Sequence, residues 1–254
     1  MRKISVIGIG AGDPEQVTIQ AVRALNEVDV FFLLDKGEAA EELVLLRREI
    51  LDRYVGESTY RIVVAADPPR DRTASDYVGA VADWHQRRAD VYERLIRDEV
   101  PEDGTGAVLA WGDPTLYDNT IAMLNTVLSR GDVEFDFEVI PGVSSVATLT
   151  ARHRTSLNQI GRPVQITTGR RLARGFPDGV DDVVVMLDAH NAFAGLEESD
   201  VDIYWGAYLG TPDEILISGQ VSEVAEEIRA RRAQARARKG WIMDTYLLRR
   251  RTTE

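Results

Sequence analysis

Lys3-Ile4-Ser5-Val6-Ile7-Gly8-Ile9-Gly10-Ala11-Gly12-Asp13-Pro14 is the stretch on which the fold turns. Lys3–Ile9 is apolar and rich in β-branched residues, as a strand covered on both faces must be. The glycines behind it read as a tight turn in which the backbone adopts conformations closed to other residues, or is closely approached. The spacing departs from a dinucleotide fingerprint. G-x-G-x-x-G runs directly into a helix, whereas here the third glycine comes one residue early, Asp13-Pro14 intervenes and helical spacing (Ile19, Val22, Ala24, Leu25) waits for Thr18, a candidate N-cap. Asp13 would also repel a pyrophosphate. Two readings stay open: a plain strand-to-helix turn, or a loop that approaches a ligand other than a phosphate.

Outward from this strand, apolar runs and helical spacing alternate. Asp29–Leu34, Tyr60–Ala65, Gly106–Trp111 and Phe135–Ile140 read as further strands, with helices expected over Thr18–Val28, 39–54, Ser75–Glu99 and Leu116–Arg130. Near-continuous apolar strands joined by helices predict a parallel five-stranded sheet with helices on both faces, an α/β fold. After a helix at Ser144–His153 the strands come more densely: Val164–Thr168, Val183–Leu187, Ile203–Tyr208, Ile215–Ser218 and Trp241–Leu248, with one helix, Val221–Arg238. That pattern predicts an α+β domain with a mixed sheet. The expected domains are 1–142 and 143–254, with an active site in the cleft between them. The Arg- and Ala-rich stretch Arg229–Lys239 reads as a solvated helix face.

Composition narrows the chemistry. The 254 residues include no cysteine, which excludes disulfides, thiolate metal sites and a cysteine nucleophile. The three histidines, His85, His153 and His190, are far apart in sequence, and no metal site is expected. Asp and Glu total 42 against 30 Lys and Arg, a formal net charge of −12 that opposes non-specific nucleic-acid binding. No apolar run is long enough to span a bilayer and no cleavage-site pattern follows Met1-Arg2-Lys3, so no membrane association and a cytoplasmic location are expected.

In a parallel sheet, ligands sit at the carboxyl ends of the strands. Here those ends carry Gly10–Asp13, Asp35, Asp67, Gly112-Asp113-Pro114 and Pro141-Gly142-Val143-Ser144-Ser145. Asp113 is either a cap for the next helix or a ligand contact. Each motif alone is weak, but together on one sheet edge they point to a binding site.

The order of these motifs resembles that of the tetrapyrrole methylases that use S-adenosylmethionine. Gly8–Asp13, Asp35, Gly112–Pro114, Pro141–Ser145 and Thr167-Thr168-Gly169 stand where that family has its glycine loop, acidic strand end, Gly-Asp-Pro loop, Pro-Gly loop and Thr-Gly segment. Longer strings, among them Ile166–Leu172, Tyr204–Ser218 and Gly240–Arg249, look like the deacetylating branch of the family. The resemblance implies the two-domain tetrapyrrole methylase fold, methylation of ring carbon C-1 of precorrin-5 with release of acetate, a tetrapyrrole as the small-molecule partner, and a homodimer. It also implies donor contacts at Ala11, Trp111, Gly112, Asp113, Leu116, Ser144, Ser145 and Met186. Ala11 departs from relatives that carry proline there. Arg170 and Arg171 are the candidates for the substrate's carboxylates, with Arg152 and Arg154 behind them. Asp35 is favoured as a general base, with Tyr117 and His190 next. The other readings are the same fold acting on another tetrapyrrole or on ribosomal RNA, and an NAD-dependent oxidoreductase, against which the glycine spacing counts.

Overall fold

A computed structural model describes residues 1–35, 41–56, 59–69, 76–196 and 200–251. Lys36 and Gly37 lie outside the described residues, as does the Asp35 side chain. The chain divides into two compact units, Met1–Gly10 with Pro14–Val143, and Ala11–Asp13 with Ser144–Glu254.

The first unit alternates strand and helix: β1 (Arg2–Gly8), α1 (Ile19–Leu25), β2 (Val30–Asp35), α2 (Glu41–Tyr54), β3 (Arg61–Ala66), α3 (Tyr77–Glu99), β4 (Thr105–Ala110), α4 (Thr120–Arg130) and β5 (Phe135–Ile140). The strands form one sheet in the order β3-β2-β4-β1-β5, every pair parallel. Alternating side chains feed two cores. Phe32, Ile4 and Val6 pack with Tyr92, Ile96, Leu124 and Val127 of α3 and α4. Phe31, Ile7 and Leu109 pack with Leu25, Ile50 and Leu51 of α1 and α2. Thr18 caps α1 by accepting from Ala21 N at 3.0 Å, as the sequence predicts.

The second unit holds α5 (Ser145–Arg152), β6 (Val164–Thr168), α6 (Gly169–Leu172), β7 (Asp182–Met186), β8 (Val201–Ala207), β9 (Ile215–Gln220), α7 (Val221–Lys239) and β10 (Asp244–Arg250). Its sheet runs β6-β7-β10-β8-β9, with β6 and β7 parallel and the other pairs antiparallel, so the mixed sheet is present. Trp205, Tyr246, Phe193, Ile228 and Leu248 form its core.

Among the boundaries that differ from the sequence reading, two do so for clear local reasons. The helix expected from Leu116 begins at Thr120, because Asp113 and Asp118 turn the backbone first, accepting from Thr115 N and Thr120 N, each at 2.7 Å. The strand expected from Trp241 begins at Asp244. Gly240 ends α7 in the left-handed conformation, and the Trp241 carbonyl accepts instead from the Tyr208 hydroxyl at 2.6 Å.

Candidate functional site

In the first unit, the chain reversals that follow β1, β4 and β5 meet backbone to backbone. Gly10 and Gly112 form an antiparallel bridge, both with positive φ, and Gly112 N donates to Gly10 O at 2.8 Å. A Cβ on Gly142 would stand 2.1 Å from the Gly112 carbonyl oxygen and 2.9 Å from Gly8 Cα. Nothing larger than glycine fits there without moving two strand ends. Asp113 ties the same loops together through its side chain: Oδ1 accepts from Thr115, and Oδ2 from Gly142 N at 3.2 Å. It does not cap α4, which starts seven residues later. Both its oxygens are engaged within the protein.

Trp111, Leu116 and Tyr117 ride on the loop so fixed. Trp111 packs on the α1/α2 core while staying partly exposed, and Leu116 is half-buried. Tyr117 is exposed and holds a left-handed backbone with φ 53°, an unfavourable conformation for a bulky residue. Asp35 ends β2 on the same carboxyl edge, paired in register with Ala66. Behind that edge lies a polar cluster that the sequence reading did not assemble. Asp67 and Arg88 form a buried ion pair at 2.9 Å. Asn119 Nδ2 stands 3.4 Å from His85 Nε2, so His85 is half-buried on α3 rather than on its open surface.

In the second unit, Ala11–Asp13 is hooked onto the turn after β8. A Cβ on Gly12 would meet the Leu209 carbonyl at 2.5 Å, and one on Gly210 would meet Asp13 N at 2.7 Å. Of the two readings of the glycine loop, the structure accounts for the glycines by the protein's own close contacts. Ala11 is buried. Arg152 reaches Asp13 at 3.7 Å and Glu214 at 3.2 Å, and Glu214 also accepts from Gly210 N at 2.7 Å. Arg152 thus serves this clamp. Ser144 is the N-cap of α5 and accepts from Ala147 N at 3.2 Å, with Ser145 opening the helix.

Met186 ends β7 beside Thr168 of β6 and is half-buried. The short α6 that follows β6 carries Arg170 and Arg171, both exposed, so these three expected site residues share one strand-end edge. After Met186 the backbone turns through Leu187, left-handed and 67% exposed, into the buried Asp188. Asp188 accepts from His190 N at 2.9 Å, Ala192 N at 2.6 Å and the Tyr246 hydroxyl at 2.7 Å. Gly169 must be glycine because a Cβ would lie 2.4 Å from the Asp188 carboxyl carbon. Arg232 donates to the Asp188 carbonyl at 2.8 Å and pairs with Asp244 at 2.9 Å, and Asp244 also accepts from Trp205 Nε1 at 3.0 Å. Burial pushes the Tyr246 hydroxyl and the Asp244 carboxyl up from their ordinary values, with Arg232 opposing the shift at Asp244. Asp188 and Arg232 were missed in the sequence because the contacts that join them to each other and to Tyr246 span 44 and 58 residues.

Among the described residues no group of three or more His, Asp or Glu could hold a metal ion, and no helix is long and apolar enough to cross a membrane.

Comparison with known proteins gives a consistent picture. Residues 3–225 match the family of Tetrapyrrole (Corrin/Porphyrin) Methylases. The deacetylating precorrin-6A synthase of Sinorhizobium sp is 52% identical over 98% of this chain and 96% of its own. A crystal structure of the cobalamin synthesis related protein CobF from Corynebacterium diphtheriae superposes with a TM-score of 0.83 at 36% identity, covering 98% of this chain and 99% of that one. The uroporphyrin-III C-methyl transferase of Thermus thermophilus, solved with S-adenyl homocysteine, shares the fold at a TM-score of 0.57 and 18% identity, over 97% and 96% of the two chains.

Proposed function

The chain belongs to the tetrapyrrole (corrin/porphyrin) methylases, and from that premise we propose that it is a methyltransferase of cobalamin biosynthesis that uses S-adenosylmethionine to methylate C-1 of precorrin-5, with loss of acetate, giving precorrin-6A. The observation that carries this is 52% identity to the deacetylating synthase over 98% of the chain. The family membership and fold are consistent with it.

The chemistry of the strand-end residues suits such a donor. When bound, S-adenosylmethionine supplies an electrophilic methyl group on a sulfonium, with no phosphate to neutralise. The candidate contacts are correspondingly apolar or neutral: Trp111, Leu116 and Met186 offer partly exposed apolar surface, and Ser144 and Ser145 offer hydroxyls. Asp113 holds Gly142 through Oδ2, and the lone pairs that its carboxylate keeps leave it able to meet the donor as well. Methyl transfer is an in-line displacement that gains from fixed alignment and exclusion of water. Loops interlocked by backbone contact supply that rigidity without a protein nucleophile. Arg170 and Arg171, exposed beside Met186, are placed to meet the acidic side chains of a tetrapyrrole. Loss of acetate requires water to add to the acetyl carbonyl, and a carboxylate at the end of β2, Asp35, is the proposed base, with Tyr117 as the alternative proton carrier. The reading also takes the protein to be a cytoplasmic homodimer that binds neither nucleic acid nor membrane.

Calorimetry with S-adenosylhomocysteine, NAD and a short RNA tests the class: only the first is expected to bind. Incubation with precorrin-5 and methyl-labelled donor is then expected to give a labelled product and free acetate. Binding of NAD in place of the nucleoside would overturn the reading. Asp35→Asn is expected to lower acetate release at least about a hundredfold, and an unchanged rate would reassign the base.

A further inference from the structure

The parallel sheet of the first unit parts towards its carboxyl edge. β2 and β4 pair only where Val30–Phe32 faces Gly106–Val108. Beyond that, β2 stays with β3 as far as Asp35 and β4 stays with β1 as far as Ala110. Alternation along β4 then leaves one carbonyl facing the gap. The Ala110 oxygen accepts from Ile9 N on the β1 side at 3.0 Å, so the Leu109 oxygen points the other way, towards β2.

Arg47 fills this parting. From the middle of α2 its Nε donates to the Leu109 carbonyl at 3.2 Å, and Nη1 donates to Leu43 O one helical turn back at 3.0 Å. Nη2 has no hydrogen-bond partner among the described residues, and no described carboxylate lies within ion-pair distance. Arg88, Arg130, Arg232 and Arg249 each close on a carboxylate instead. Burial disfavours the Arg47 cation, while Tyr92 and Asp118 nearby favour it. A guanidinium stays protonated even so. A fixed cation, two of its three nitrogens anchored to carbonyls and the third unspent, is held at Leu109, two residues before Trp111 in the chain, on the strand-end edge where an open parallel sheet holds ligands.

We propose that Arg47 is a carboxylate-binding residue of the active site, presenting Nη2 to a carboxylate of a bound ligand where β2 and β4 part. The proposal rests on the methyltransferase reading above, which makes this edge the site of reaction. The planar fork suits the task, because anchoring Nε and Nη1 orients the remaining donor before any ligand arrives. The carboxylate has two sources in that reaction: an acidic side chain of the macrocycle, or the amino-acid end of the methyl donor.

Arg47→Gln and Arg47→Lys separate them. Two constants are measured for each variant, the Kd for S-adenosylhomocysteine by calorimetry and the KM for precorrin-5 with labelled donor, alongside kcat and the thermal midpoint. Arg47→Gln is expected to raise one of the two constants about ten- to a hundredfold and to leave the other within about twofold, with Arg47→Lys between it and the parent. A raised KM assigns the macrocycle and a raised Kd assigns the donor. If Arg47→Gln does not fold, Arg47→Lys decides alone. A lowered thermal midpoint with both constants unchanged would make Arg47 a structural residue and overturn the proposal. A parent protein that binds no S-adenosylhomocysteine would instead overturn the functional reading, and this proposal with it.

Discussion

The two units hold their strand-end loops by opposite means. In the first, Gly8, Gly10, Gly112 and Gly142 bring three loops into backbone contact, and one carboxylate, that of Asp113, ties them. In the second, the turn after Met186 is held from beneath by a buried network of Asp188, Tyr246, Arg232, Asp244 and Trp205. The first arrangement depends on shape and withdraws little charge from water. The second depends on charge pairing in a desolvated place, where each partner is strongly stabilising only while the other is present. The two should therefore fail differently.

Arg232 offers the largest effect. It is 7% exposed, and its removal leaves the Asp244 carboxylate buried with, among the described residues, only Trp205 Nε1 as a donor. Arg232→Met is expected to destabilise the second unit by about 3–5 kcal/mol. Arg232→Met with Asp244→Asn removes both charges and keeps an oxygen for Trp205, so the double variant should lose less than Arg232→Met alone. Hydrogen exchange locates the change: β8 and β10 should lose protection while β1 and β4 keep theirs. A double variant worse than the single would mean that packing, not charge, holds this turn.

Gly142→Ala should strike the first unit, and with a smaller effect. The new methyl meets backbone on both sides, so neither neighbour can swing away, and about 2–3 kcal/mol is expected. Gly131→Ala is the control. Gly131 is left-handed, with φ 76°, which Gly142 is not, and a Cβ there meets nothing within 4 Å. Only backbone strain of about 1 kcal/mol remains. Urea unfolding of the two variants checks the contrast. Equal losses would show that the close approach at Gly142 costs no more than the backbone strain at Gly131.

How far the sequence foretold these arrangements follows the same division. Every strand of both sheets was legible, because apolar runs and turn residues are local signals. The glycine and Pro-Gly motifs were legible as a group, since each falls just after a strand. What they touch was not: Gly12 against Leu209, or Gly169 against Asp188, joins segments far apart in the chain. Asp113 read as either a helix cap or a ligand contact, and its clamp on Gly142, twenty-nine residues on, had no signal. Arg229–Lys239 read as a solvated face, and most of it is, but Arg232 turns inward to Asp244. Arg47 carries no signal in sequence, because its partners are carbonyl groups that every residue possesses.

The smallest expected effect is a slope rather than a step, and it too separates the units. His153 ends α5 with Nε2 at 3.0 Å from the Trp205 carbonyl, which can only accept, so Nε2 carries the proton. Burial holds the imidazole below its usual value, with the Trp205 carbonyl and Glu214 pulling the other way. The unfolded chain therefore takes up a proton at a higher pH than the folded one. Stability from His153 is complete above the unfolded value, about 6.5, and is lost as pH falls towards the folded value. Glu93 in the first unit and Asp213 in the second are both held low, chiefly by Arg130 and by Lys239, and give up their contribution only in stronger acid. Between about pH 5 and 7 His153 should thus dominate. His153→Gln keeps a donor for Trp205 without titrating. It is expected to flatten the pH dependence of exchange in α5 and β8 and leave β1 and β4 as they were. A slope that survives the substitution would place the proton elsewhere.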